Sequence, residues 1–209
     1  RPDEELDALF VRHGLEGKFV AAYVGTHGMA HHLETVLEAA QKLRHRNDVA
    51  FLLVGDGAER DRLQQMASEM QLPNLIMLGL MPKQKMPALW SKVQLSLILL
   101  RKSDTFKSVI PSKLFESFAM NKPIILGVEG ESAGILRESG AGICIEPEDA
   151  NALAEAVARM ADETALYAGM ASCGKDYVMR NFDRDVLAKS FADAISATLL
   201  GDQPVSVQS

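Results

Sequence analysis

The chain has 209 residues, 47% of them hydrophobic and 24% charged, and a formal net charge of −6. That balance suits a soluble globular protein of one large domain or two small ones. Scattered rather than blocked basic residues argue against a nucleic-acid or anionic-membrane surface, and no apolar run approaches the ~20 residues of a membrane span.

The opening stretch "RPDEELDALFVRHGLEG" (residues 1–17) predicts a lead-in surface helix ending on glycine. Without an initial methionine or a signal-peptide pattern, it reads as the start of a fragment. Then come "KFVAAYVG", "AHHLETVLEAAQKLRHR", "VAFLLVGDG" and "ERDRLQQMASEM", in the order strand, helix, strand, helix. "NLIMLG", a short helix over "KQKMPALWSK", "VQLSLILL", a helix from Pro111, "KPIILGV", a helix near "SAGILRES" and "GICIEP" follow. Six strands emerge. Each is nearly continuous in apolar residues, as strands covered on both faces by crossover helices must be. The expected fold is α/β, a doubly wound parallel sheet. "EPEDANALAEAVARM", "ETALYAGMASCGKDYVMRN" and "DVLAKSFADAISATLL" predict extra C-terminal helices, and residues 201–209 a disordered tail. The two cysteines, Cys144 and Cys173, lack metal-ligand or redox spacing, the pattern of reduced thiols in a cytoplasmic protein.

Ligands of such sheets bind at the carboxyl ends of the strands, where loops lead into helix amino termini. The loops in question are "GTHGMAHH", "GDGAER", "GLMPKQK" and "RKSDTFKSVIPSK". In the helix predicted from Pro111 at its first position, Ser112, Lys113, Glu116 and Met120 share one face, and Leu114, Phe115 and Phe118 the opposite one. The polar face suits a diphosphate at the helix start and, one turn deeper, a carboxylate for a sugar diol. A lysine and a glutamate three residues apart can equally be a solvated surface pair.

The ordered set "YVGTHGMAHHLETVLEAA", "FLLVGDGAERDRL", "NLIMLGLMPKQKMPALWSKVQLSLILL", "PSKLFESFAMNKPII" and "GAGICIEPEDANALAEAV" resembles the carboxy-terminal, donor-binding domain of retaining glycosyltransferases of the GT-B fold, family 4 (group 1). The "PSKLFE" form is similar to the subgroup that builds bacterial surface polysaccharides and lipopolysaccharide. The resemblance implies a Rossmann-like domain over residues 18–182, one half of a GT-B enzyme, with a crossover helix over 183–200 and an acceptor domain outside this chain. It implies a nucleotide-sugar donor, UDP-linked in the subgroup. Gly25, Thr26, Gly28, Ser112 and Lys113 would hold its diphosphate, backbone at Leu80 and Met81 its base, and Glu116 its ribose. Lys113 and Glu116 are the catalytic candidates, no metal is required, and Gly127 to Gly134 would lie near the sugar or phosphates. Membrane contact, at the inner face of the cell membrane, would come only through the missing domain.

Three positions depart from the family pattern. Ser108 stands where a first glutamate, separated from Glu116's place by seven intervening residues, addresses the transferred sugar. Thr26 and His31 stand where an arginine and a lysine hold the diphosphate. Other tempting motifs take ordinary readings. Asp183 and Asp185 precede the last helix and fit an N-cap. His31 and His32 would point about 100° apart on a helix and cannot easily share a metal. "GTHG" lacks the full dinucleotide fingerprint, and Trp90 suits a core. A nucleotide-sugar 2-epimerase, a nicotinamide dehydrogenase and a degenerate partner-binding module are the alternatives.

Overall fold

The structure, a computed structural model, describes residues 3–181. Asp183, Asp185, the expected helix over 183–200 and the tail over 201–209 lie outside the described residues. The elements run α1 (Glu4–Arg12), β1 (Phe19–Val24), α2 (Glu34–Lys42), β2 (Val49–Val54), α3 (Arg60–Glu69), β3 (Leu75–Leu78), α4 (Met86–Lys92) and β4 (Leu95–Leu99). After them come α5 (Ser112–Ala119), β5 (Ile124–Gly127), α6 (Glu131–Ser139), β6 (Gly142–Cys144), α7 (Ala150–Asp162) and α8 (Thr164–Asn181). All six predicted strands form one parallel sheet in the order β3-β2-β1-β4-β5-β6, a Rossmann-like α/β arrangement.

Alternating side chains explain why these strands read as continuous apolar runs. Ala21 and Tyr23 of β1, Phe51 and Leu53 of β2, and Leu95, Leu97 and Leu99 of β4 pack on one face with Val36 and Leu37 of α2, Leu63 of α3, and Leu153 and Val157 of α7. Their neighbours Val20, Ala22, Ala50 and Leu52 face α1 and α4 on the other side. Ile98, Ile124 and Leu126 extend that second layer beneath α5, α6 and α8. Apolar area leaves water on both faces at roughly 25 cal/mol per Å², which is what holds the sheet.

Two expectations need adjusting. The helix α1 is more than a surface lead-in, because Leu6 and Phe10, one turn apart, are buried against β1 and β2. Pro111 precedes α5 rather than beginning it. Its φ of −63° would suit a helix, but its ψ of 130° is extended, and its carbonyl accepts from the Leu114 N–H at 3.0 Å. Among the described residues no helix is long and apolar enough to cross a membrane.

The feature that positions the site is a split in the sheet. β1 and β2 pair along six residues, but β1 and β4 pair only at Ala21↔Leu95 and Ala22↔Ser96. Beyond that point the two strands diverge, at the place where the strand order reverses. In folds of this kind that reversal opens a crevice.

Candidate functional site

The crevice is a cleft of about 320 Å³ between Tyr23, Gly25, Thr26 and His31 on one side and Leu97 to Leu100, Val109, Pro111, Ser112 and Lys113 on the other. A second hollow of about 210 Å³ adjoins it and shares Val24, Gly25 and Thr26 as a common wall. Gly55, Asp56, Leu80, Met81 and Met86 complete that hollow. Gly25, Thr26, Ser112 and Lys113 are thus brought together as expected, and Leu80 and Met81 lie next door. Gly28 is set back from the cleft walls, at the start of the 3₁₀ turn Met29–His31 and against Thr26 and His31.

At the mouth of the cleft, Ser112 and Lys113 are the first residues of α5, whose initial N–H groups have no intrahelical acceptor and carry partial positive charge. Lys113 Nζ lies 2.6 Å from Glu116 Oε2, each side chain about one-third exposed (36% and 34%). The lysine and glutamate are therefore an ion pair in which Lys113 lines the cleft and Glu116, one turn further along α5, stands behind it rather than in its wall. Glu116 does not simply face solvent, however. Its other oxygen, Oε1, accepts from the indole Nε1 of Trp90 on α4 at 2.9 Å. Met120, expected on the same polar face, instead packs into the apolar layer beside α1 and α4.

The loops after β1 and β2 are joined to each other. The His27 N–H donates to the Asp56 carbonyl (2.8 Å), and the Glu59 N–H donates to the His27 carbonyl (2.9 Å). Gly55 and Gly57 permit this approach, since a Cβ at Gly55 would sit 1.8 Å from the Gly25 oxygen and one at Gly57 2.5 Å from the His27 oxygen. The Tyr23 hydroxyl closes the first loop by donating to the Thr26 carbonyl at 2.8 Å. Burial raises the Tyr23 phenol far above its ordinary pKa, so that proton stays in place.

Two histidines sit in this arrangement. His31 Nδ1 is 3.2 Å from the Leu99 carbonyl oxygen. Opposite a carbonyl that nitrogen must carry the proton, which leaves Nε2 as the imidazole's other polar atom in a ring that lines the cleft. His32 has left-handed backbone (φ 44°) and bonds Thr35, so the two rings do not act together. His27 is fully buried, and among the described residues neither ring nitrogen has a hydrogen-bond partner. Burial first, and then the nearby Arg60 charge, lower its pKa and keep it neutral.

Ser108 is exposed in the loop before α5, and its flanking backbone is clasped to the start of α6. The Glu131 N–H donates to the Lys107 carbonyl (2.9 Å), and Ser132 Oγ donates to the Val109 carbonyl (2.6 Å). Gly130 fits this clasp with a φ of +76°, where a Cβ would come 1.9 Å from the Lys107 oxygen. The stretch Gly127 to Gly134 therefore meets the loop that feeds the cleft. Sequence reasoning missed Trp90 and Tyr23 as supports of the site. The signal for Trp90 was a lone indole in an amphipathic helix that begins right after the Leu80–Met81 loop.

Comparison with known proteins agrees with this geometry. The family model for glycosyl transferases group 1 matches residues 7–176. The chain is 28% identical over 197 residues to a protein named as the colanic acid biosynthesis glycosyl transferase WcaI of Escherichia coli (strain K12), covering 92% of this chain and 47% of that one. It is 25% identical over 162 residues to the alpha-D-kanosaminyltransferase of Streptomyces kanamyceticus, covering 77% and 41%. The chain thus spans about half the length of the curated relatives it matches. Among solved structures, Anabaena HepE in complex with UDP-glucose superposes with a TM-score of 0.77 at 18% identity, covering 94% of this chain and 54% of that one. The C-terminal domain of the group 1 family protein LpcC from Francisella tularensis superposes with a TM-score of 0.70 at 18% identity, covering 88% and 95%. A match over most of its length, on a fold with its crevice at the strand-order reversal, places the chain in a family: it belongs to the group 1 glycosyl transferases.

Proposed function

We propose that this chain is the donor-binding half of a retaining glycosyltransferase that moves a sugar from a UDP-linked donor to a polysaccharide or lipid-linked acceptor. The observation that carries the reading is the shared Gly25–Thr26 wall. It joins the hollow at Leu80 and Met81 to the cleft at Ser112 and Lys113 in one trough, with a base at one end and a diphosphate at the other in this reading. Relatives named for colanic acid biosynthesis and for kanosaminyl transfer, and a fold neighbour holding UDP-glucose, support it.

In this reading the base lies in the Leu80–Met81 hollow, and Glu116 takes the ribose hydroxyls. The diphosphate meets the α5 amino terminus, the Lys113 ammonium, the Thr26 hydroxyl and the Gly25 backbone. Gly28 supports the loop from behind. Charge grows on the diphosphate as the glycosidic bond breaks, so fixed donors already aimed there lower the barrier without reorganising. The acceptor is presented by an N-terminal domain across the cleft, and positioning of its hydroxyl on the departing face supplies the remainder. No metal is required, because Lys113 and the helix start provide the positive charge. Any membrane contact belongs to the acceptor domain.

Calorimetry with UDP, GDP, ADP and NADH on this chain, followed by product analysis of the full-length enzyme with UDP-sugars, tests the proposal. Selective UDP binding that is lost in Lys113→Ala supports it. Indifference to every nucleotide at full length overturns it.

A further inference from the structure

The grip on Glu116 carries a further inference, which rests on the donor-site reading above. Trp90 is 1% exposed, and a buried indole N–H needs an acceptor. Here the acceptor is neither backbone nor a core hydroxyl but the partly exposed carboxylate of Glu116, at 2.9 Å, paired with the Lys113 that lines the cleft. The carboxylate is held from two sides, with Trp90 on Oε1 and Lys113 on Oε2. The two partners differ in kind. The lysine is a charge on a flexible stem that can turn away towards a phosphate, whereas the indole is fixed by burial among Leu6, Phe10 and Leu89. A carboxylate offers about four lone-pair sites. With two of them occupied, two remain, the number a vicinal diol needs. The same short helix also reaches the hollow, since Met86 at its start lines it beside Leu80 and Met81, and Trp90 stands one turn later.

We propose that Trp90 is a positioning residue of the nucleotide site: its indole N–H holds the Glu116 carboxylate in the orientation that receives the ribose diol and ties that orientation, through α4, to the wall of the base hollow. When Lys113 turns to the diphosphate, the indole is the contact that keeps Glu116 in place.

The chain has a single tryptophan, so one indole N–H resonance in the ¹⁵N-labelled protein reports the contact without any change at position 90. It should move and exchange faster with water in Glu116→Ala. In calorimetry, Trp90→Phe should weaken UDP binding about tenfold, or about 1.4 kcal/mol, and leave 2′,3′-dideoxy-UDP within twofold. Trp90→Phe with Glu116→Ala should be no weaker than Glu116→Ala alone. An indole resonance indifferent to Glu116→Ala overturns the proposal, whether or not Trp90→Phe folds. Equal weakening of UDP and dideoxy-UDP, or additive losses in the double variant, also overturns it by showing that Trp90 supports only the fold. If the indole responds to Glu116→Ala but the full-length protein binds no nucleotide, the bond stands, the donor-site reading fails, and the ribose role is overturned with it.

Discussion

Gly55→Ala should damage stability and nucleotide binding together, because one atom would force apart the two loops that wall the trough. The new Cβ would lie 1.8 Å from the Gly25 oxygen, whereas ordinary contact begins at 3.4 Å, so the loops must separate by 3.4 − 1.8 = 1.6 Å to relieve it fully. At φ +146° the alanine is strained as well, at about 1–3 kcal/mol. Separation also breaks the two backbone bonds at His27, worth about 0.5–1.5 kcal/mol each. The sum, about 2–6 kcal/mol, lowers the melting temperature by roughly 5–20 °C for a domain of this size. The shared Gly25–Thr26 wall moves with the loop, so UDP affinity should drop at least tenfold where the variant remains folded, about 1.4 kcal/mol. Gly134→Ala is the matched control. Gly134 lies inside α6 with nothing within 4 Å of the added carbon and an ordinary φ, so alanine should stabilise by about 0.5–1 kcal/mol. Thermal melts and calorimetry on both variants decide the matter. A Gly55→Ala protein with unchanged melting temperature and UDP affinity would refute the view that the loops form one wall.

Lys113→Met should change stability by less than about 1 kcal/mol, since both members of the pair are about one-third exposed, yet weaken UDP by about 10- to 100-fold and leave uridine unaffected, read by calorimetry with both ligands. Ser117→Ala removes the hydroxyl that donates to Ser96 Oγ at 2.7 Å inside the core, and denaturant melts should show a loss of about 1–3 kcal/mol. His27 has its pKa lowered by burial in the folded state. Below the ordinary value near 6.5, unfolded chains take up a proton that the native state refuses. Stability should therefore be complete above about pH 6.5 and decline as pH falls towards the lowered value, and melting curves of His27→Asn should lose that part of the slope.

The sheet was legible because each strand carries its burial in its own composition: "VAFLLV" cannot be placed anywhere but between two layers of helices. The start of α5 was legible for a related reason, since a proline ahead of an amphipathic octet marks a helix start within a residue. What escaped depends on contacts distant along the chain. Trp90 and Glu116 are 26 residues apart, and nothing in either segment announces that a core indole will reach the carboxylate paired with Lys113. His31 finds its carbonyl 68 residues away. His27 reads as one more polar residue in a glycine loop, and only the packing of the second glycine loop over it removes it from water. The role of α1 was half visible, because Leu6 and Phe10 have the spacing of an inward stripe but the charges around them suggest a solvated helix.

The parting of β1 from β4 has a chemical cost that His31 helps meet. Once the strands diverge, Leu99 can no longer find a ladder partner on that side, and the imidazole donates to its carbonyl instead. The side chain thus works as a rivet across the seam as well as a wall of the cleft. A lysine there would bring a permanent charge to the proposed diphosphate site but no fixed ring to hold Leu99. His31→Lys should therefore melt earlier and, if the proposed donor site holds, bind UDP more tightly, because the lysine would exchange the bond to Leu99 for a charge beside the cleft.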